Sequence, residues 1–126
     1  MKQLQKMSET ERKSMELVWQ AEPPVTVSEI QQMAGDMKAW KHTTIATFLQ
    51  NLCQKGVLRV VKKGNTNLYY PPVSKADYVH FETITFLQTV HHGSLKSFMS
   101  ALLGSNDVCS LEPAQIDELK EMLKKL

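Results

Sequence analysis

The stretch "WKHTTIATFLQNLCQKG", Trp40 to Gly56, decides how the rest of the chain is read. Ile45, Phe48, Leu49 and Leu52 recur at helical spacing and form one apolar face. Gly56 stands where a helix-ending glycine belongs. The other side presents Thr43, Thr44, Ala46, Thr47, Gln50 and Asn51, which are short and uncharged. The start breaks the usual preference. Helix N-termini favour acidic and small capping residues, because the macrodipole is positive there; this one opens on Lys41 and His42. Threonine is a poor helix former, so Thr43, Thr44 and Thr47 bring no stability. Local rules broken together mark a surface kept for function. A phosphate would supply the negative charge that this helix start lacks. Short uncharged side chains reach base edges without a carboxylate to repel the backbone.

The flanks support a nucleic-acid reading. Upstream, Ser8-x-x-Glu11 is a capping box that opens a helix with Met15, Val18 and Trp19 on one face. Pro23 and Pro24 end it, and Val25 suits a short extended segment. Thr26-x-x-Glu29 opens a second, short helix with Val27, Ile30, Met33 and Ala34 on one side, ending near Gly35. Downstream of Gly56 the period changes. "VLRVVKK", "GNTN" and "LYYPP" read as strand, tight turn and strand, tipped by Lys62, Lys63, Asn65 and Asn67. Three helices followed by a basic hairpin make a winged helix-turn-helix, whose third helix enters the major groove. The expected DNA-contacting residues are Lys41, His42, Thr43, Thr44, Ala46, Thr47, Asn51, Lys62, Lys63 and Asn65.

Charge is distributed to match. The net charge of the 126 residues is only +2. Residues 1–73 carry ten Lys or Arg against six Asp or Glu, a net of +4; residues 74–126 carry five against seven, a net of −2. From Met37 to Ala76 there is no acidic residue, while Lys38, Lys41, Lys55, Arg59, Lys62, Lys63 and Lys75 all fall inside. A basic block free of carboxylates is the footprint of a polyanion-binding face. Cys53 and Cys109 are isolated, and His91 and His92 are adjacent, pointing about 100° apart on a helix; neither pattern makes a metal site. No metal, cofactor or catalytic residue is expected. The N-terminal "MKQLQKMSETERK" has no apolar signal segment, and no run approaches the ~20 residues that span a bilayer. A cytoplasmic location without membrane insertion is expected.

From Ser74 the character shifts. Ser74-x-x-Asp77 opens a helix with Tyr78, Phe81, Ile84, Phe86, Leu87 and Val90 on more than one side. "HHGS" breaks it at Gly93, and Ser94 opens a second piece with Leu95, Phe98, Met99, Leu102 and Leu103. Ser110 and Pro113 are expected to start a last helix, where Ile116, Leu119, Leu123 and Leu126 follow heptad-like spacing. One small wing domain cannot cover this apolar surface. The expected organisation is therefore 1–73 as a winged-helix DNA-binding domain and 74–126 as a helical dimerisation domain. The fold class is mostly α with a β-hairpin wing (α+β). Tyr78, Phe81, Phe98, Leu102, Ile116, Leu119, Leu123 and Leu126 are the expected dimer contacts.

At this point the chain resembles the bacterial penicillinase repressors and methicillin-resistance regulators. The matching pieces are "SMELVWQ", "TTIATFLQNLCQKG", "NLYYPPVSKADYV", "GSLKSFMSALL" and "LEPAQIDELKEMLKKL", in order and nearly ungapped from about Met7 onward. The resemblance implies a homodimeric winged-helix repressor on palindromic operator DNA, touching it through Thr43, Thr44, Ala46, Thr47 and Asn51. Ala46 and Asn51 stand where relatives often carry larger or basic residues. The paired C-x-C motifs of a copper-responsive branch are absent. The resemblance further implies release by cleavage, at Ala101–Leu102 by alignment, through a protease linked to a membrane sensor. Two other functions fit the same helices: a winged helix used as a protein-interaction module, and a repressor that senses a small ligand.

Overall fold

The computed structural model describes residues 4–35, 39–104 and 111–126. Its elements run α1 (Glu9–Gln20), α2 (Val27–Ala34), α3 (His42–Gln54), β1 (Arg59–Lys63), β2 (Thr66–Tyr70), α4 (Lys75–Val90), α5 (Leu95–Leu103) and α6 (Pro113–Lys124). One compact unit extends to Glu82 and a second begins at Thr83.

The first unit is built around α3. Ile45, Leu49 and Leu52 are wholly buried, and Phe48 is half-buried with its ring edge-on to Trp40 at 5.3 Å. Met15 and Val18 from α1, Ile30 from α2, Val25, Val57 and Tyr69 close the same core. The caps are formed as the motifs require. Ser8 Oγ accepts from Glu11 N at 3.2 Å while a Glu11 oxygen accepts from Ser8 N at 2.9 Å. Thr26 Oγ1 accepts from Glu29 N at 3.2 Å, and Ser74 Oγ from Asp77 N at 3.1 Å.

β1 and β2 pair antiparallel, with Arg59 opposite Tyr70 and Lys63 opposite Thr66. Two residues, Gly64 and Asn65, make the turn. Gly64 takes φ +64° and Asn65 stays at negative φ, the pattern of a II′ hairpin with glycine first. Val25 adds a single rung beyond β2: Val25 N donates to Tyr69 O at 2.7 Å and Tyr69 N to Val25 O at 2.8 Å. The short extended segment after the two prolines thus joins the two-stranded wing through one β-bridge.

The first turns of α4 belong to this core. Tyr78, expected among the dimer contacts, is wholly covered within its own chain, and Phe81 packs beside it. The Tyr78 hydroxyl accepts from Met7 N at 2.9 Å and donates to Gln5 O at 3.2 Å. Lys75 pairs with Glu16 at 2.8 Å, and Arg12 with Glu82.

The second unit is helical. After Val90 the chain breaks on His92 (φ +53°) and Gly93 (φ +79°), and Ser94 caps α5 by accepting from Ser97 N at 3.1 Å. His91 packs edge-on to Phe86 and Phe98, with Nδ1 2.9 Å from Ser97 Oγ. The last helix starts later than Ser110, which lies outside the described residues together with Cys109. Its N-cap is Glu112, whose N–H donates to Gln115 Oε1 at 3.0 Å, with Pro113 in the first turn. Among the described residues from Thr83 onward, none is buried.

Candidate nucleic-acid interface

Burial of Ile45, Leu49 and Leu52 fixes which side of α3 is left to solvent. His42, Thr43, Thr47 and Gln50 are exposed; Thr44, Ala46 and Asn51 are half-buried along its flanks. Thr43 to Asn51 spans about 12 Å of helix axis, comparable with the width of a major groove. Between Thr43 and Gln54 the helix carries no charged side chain.

The N-terminus of α3 is capped by Lys41, with no side-chain hydrogen bond and no acidic residue in the first turn. Its leading N–H groups therefore lack the side-chain acceptor that α1 and α2 possess. Lys41 is exposed beside them. Positive dipole, unfilled donors and an ammonium converge on one spot, and an anion satisfies all three.

In the wing, Lys62, Lys63 and Asn65 are exposed. Lys62 faces Asn67 and Lys63 faces Thr66 across the hairpin. Successive residues of a strand point to opposite faces, so the two lysines serve different sides of the tip.

Not all of the basic block is available. Lys55 reaches back to Glu11, whose side chain is 8% exposed. Burial raises the Glu11 carboxyl, but Lys55 and the Ser8 N–H and hydroxyl outweigh it and hold the group below its ordinary value. Lys75 is tied to Glu16, and the Arg59 guanidinium lies 5.9 Å from the Tyr70 ring centre. Lys38 lies outside the described residues. Lys41, Lys62 and Lys63 form no ion pair among the described residues, and they border the helix face and the wing tip. The Glu11–Lys55 pair spans 44 positions in sequence, and only the capping role of Glu11 is visible in the sequence.

Behind the hairpin, Pro23, Pro24, Val61, Leu68, Tyr70 and Pro71 line a shallow apolar hollow of about 450 Å³. No helix is long and apolar enough to cross a membrane among the described residues.

Residues 7–125 match the penicillinase repressor family. The chain belongs to that family. It is 29% identical over 125 residues to the penicillinase repressor of Bacillus licheniformis, across 99% of this chain and 94% of the relative. The solution structure of the DNA-binding domain of the repressor BlaI superposes with a TM-score of 0.53 at 28% identity, covering 62% of this chain and 94% of that one. The solution structure of monomeric Bacillus licheniformis BlaI in complex with the blaP half-operator gives a TM-score of 0.49 with the same identity and coverage. The match to the BlaI DNA-binding domain accords with the winged-helix architecture described above, over 62% of this chain. The family is one of DNA-binding transcriptional repressors, and its members are not enzymes.

Proposed function

We propose that this repressor works in the cytoplasm as a homodimer on palindromic operators, and that cleavage at or near Ala101–Leu102 lifts repression. The observation that carries the DNA-contact reading is the carboxylate-free surface formed by the outer side of α3, its uncapped start and the wing tip. Thr43, Thr44, Ala46, Thr47 and Asn51 meet base edges and nearby phosphates. Lys41 and His42 hold a phosphate at the helix start, and Lys62, Lys63 and Asn65 hold the flanking backbone.

Dimerisation is supported by the absence of buried side chains among the described residues of the second unit. Val90, Leu95, Leu123 and Leu126 are 54%, 63%, 51% and 99% exposed. Apolar surface of that extent is characteristic of an interface. Phe98, Leu102, Ile116 and Leu119 are half-buried and lie beside it. Two linked half-site contacts bind far more tightly than one, through high effective concentration.

Release by proteolysis is supported by α5. It is nine residues long, contains no buried residue, and follows two left-handed residues. A short helix with few apolar contacts opens locally at low cost, which a protease needs to bind an extended strand. The acting protease would be one coupled to a membrane sensor. The test inserts a specific cleavage site at Ala101–Leu102 and follows mass by light scattering alongside affinity for palindromic and half-site duplexes. The intact chain should scatter as a dimer and prefer the palindrome. After cutting it should fall to monomer and lose that preference. An intact dimer still on the palindrome after complete cleavage refutes the release mechanism, and a monomeric uncut chain at micromolar concentration refutes the dimer.

A further inference from the structure

The outward side of α3 bears on which bases it can select. Thr47 is exposed at its middle, and its hydroxyl donates to the Thr43 carbonyl at 3.0 Å. This back-bond is one of the two favoured threonine rotamers in a helix. It commits the one hydroxyl proton and leaves oxygen lone pairs and a methyl group. A side chain in that state cannot donate to guanine O6 or N7, or to thymine O4. It can accept from the exocyclic amine of adenine or cytosine, and its methyl can pack on a thymine methyl. An A·T pair displays amine and methyl together in the major groove, whereas a C·G pair displays the amine alone. From Thr43 to Gln54 the helix holds no Arg or Lys, the side chains that clamp guanine bidentately.

Resting on the DNA reading above, we propose that Thr47 is a specificity-determining residue that selects an A·T pair, through the thymine methyl and the adenine amine, and rejects guanine at that position. Neighbouring Ala46 adds a second apolar surface. Gln50 and Asn51 supply the amides suited to adenine N6 and N7.

The test uses the full-length protein and a duplex selected by it from random DNA. Each thymine is replaced in turn by uracil, which deletes only the 5-methyl group, and each guanine by 7-deazaguanine. Affinities are measured for the parent protein, Thr47→Ser, which lacks the methyl, and Thr47→Val, which lacks the hydroxyl. One thymine per half-site should show a loss of about fourfold on conversion to uracil, the value of one buried methyl. That loss should vanish in Thr47→Ser and persist in Thr47→Val. Thr47→Val should lose its own severalfold increment at the same base pair. A 7-deazaguanine effect that disappears in Thr47→Val would show the hydroxyl donating to guanine and overturn the proposal. So would sequence-selective binding with no thymine coupled to residue 47, which leaves the DNA reading standing. Failure to enrich any sequence over random duplex overturns the DNA reading itself.

Discussion

Replacing Tyr78 by phenylalanine removes one oxygen atom from the core of the first unit. The ring contacts, 6.0 Å to Trp19 and 5.6 Å to Phe81 between centroids, are retained. What disappears is the hydroxyl that accepts from Met7 N at 2.9 Å and donates to Gln5 O at 3.2 Å. The Gln5 carbonyl belongs to an exposed residue and can turn to water. The Met7 N–H cannot, because Met7 is only 4% exposed and Tyr78 is fully buried. An unsatisfied buried donor costs about 1–3 kcal/mol. In a unit of this size each 1 kcal/mol moves the melting midpoint by about 4–8 °C. Tyr78→Phe should therefore lose about 2 kcal/mol and melt about 10 °C lower. Trp19 lies against the altered ring, so tryptophan fluorescence during urea and thermal unfolding reads the change directly. The bond is internal to one chain, so the loss should be the same at low and high protein concentration, with the mass in solution unchanged. A shift below about 2 °C, or one that closes as concentration rises, would refute this account and place Tyr78 between subunits.

Further substitutions separate the roles of the wing lysines, the α3 threonines and Glu11. Lys62→Ala and Lys63→Ala should each weaken binding to operator and random duplexes alike and lower the log–log salt slope by about one, whereas Thr44→Ala should weaken operator binding by roughly 1–3 kcal/mol and leave random duplex nearly untouched; titrations at several salt concentrations distinguish the two patterns. Glu11 is held below its ordinary value of 4.5, so its contribution is fully present above that pH and is lost as pH falls through the folded value. Stability of the first unit should accordingly decline below about pH 4.5, and Glu11→Gln should flatten that decline; parallel slopes for the two proteins would refute the assignment.

Much of this architecture is legible in the residues. Ser8 with Glu11, Thr26 with Glu29 and Ser74 with Asp77 mark helix starts because capping is local chemistry, decided within four residues. The glycine and asparagine after Lys63 mark the hairpin for the same reason. Long-range partnership is less visible. Periodicity places Tyr78 and Phe81 on an apolar face, but it does not say which surface covers them, and the answer involves Met7 and Trp19 at the far end of the sequence. Lys55 counts as part of a basic block until the fold brings Glu11 beside it. Glu112 replaces Ser110 as the final cap because its own N–H finds Gln115. For α3, the absence of charge is plain in the sequence, while the commitment of the Thr47 proton to Thr43 depends on a rotamer and is not.

If the helical unit pairs as proposed, the absence of any buried side chain among its described residues ties repression to dosage. In the proposed dimer, a monomer without a twin leaves Leu95, Leu123 and Leu126 in water, so order in that half of the chain would follow mass action. Below the dissociation constant of the pair, the dimer population falls with the square of monomer concentration. Operator occupancy then drops more steeply than the amount of protein. Under that regime a modest fall in repressor concentration, as when growth outpaces synthesis, or the proposed cut in a fraction of chains, would open the promoter over a narrow range of repressor abundance. Restoring silence requires new synthesis past the same threshold.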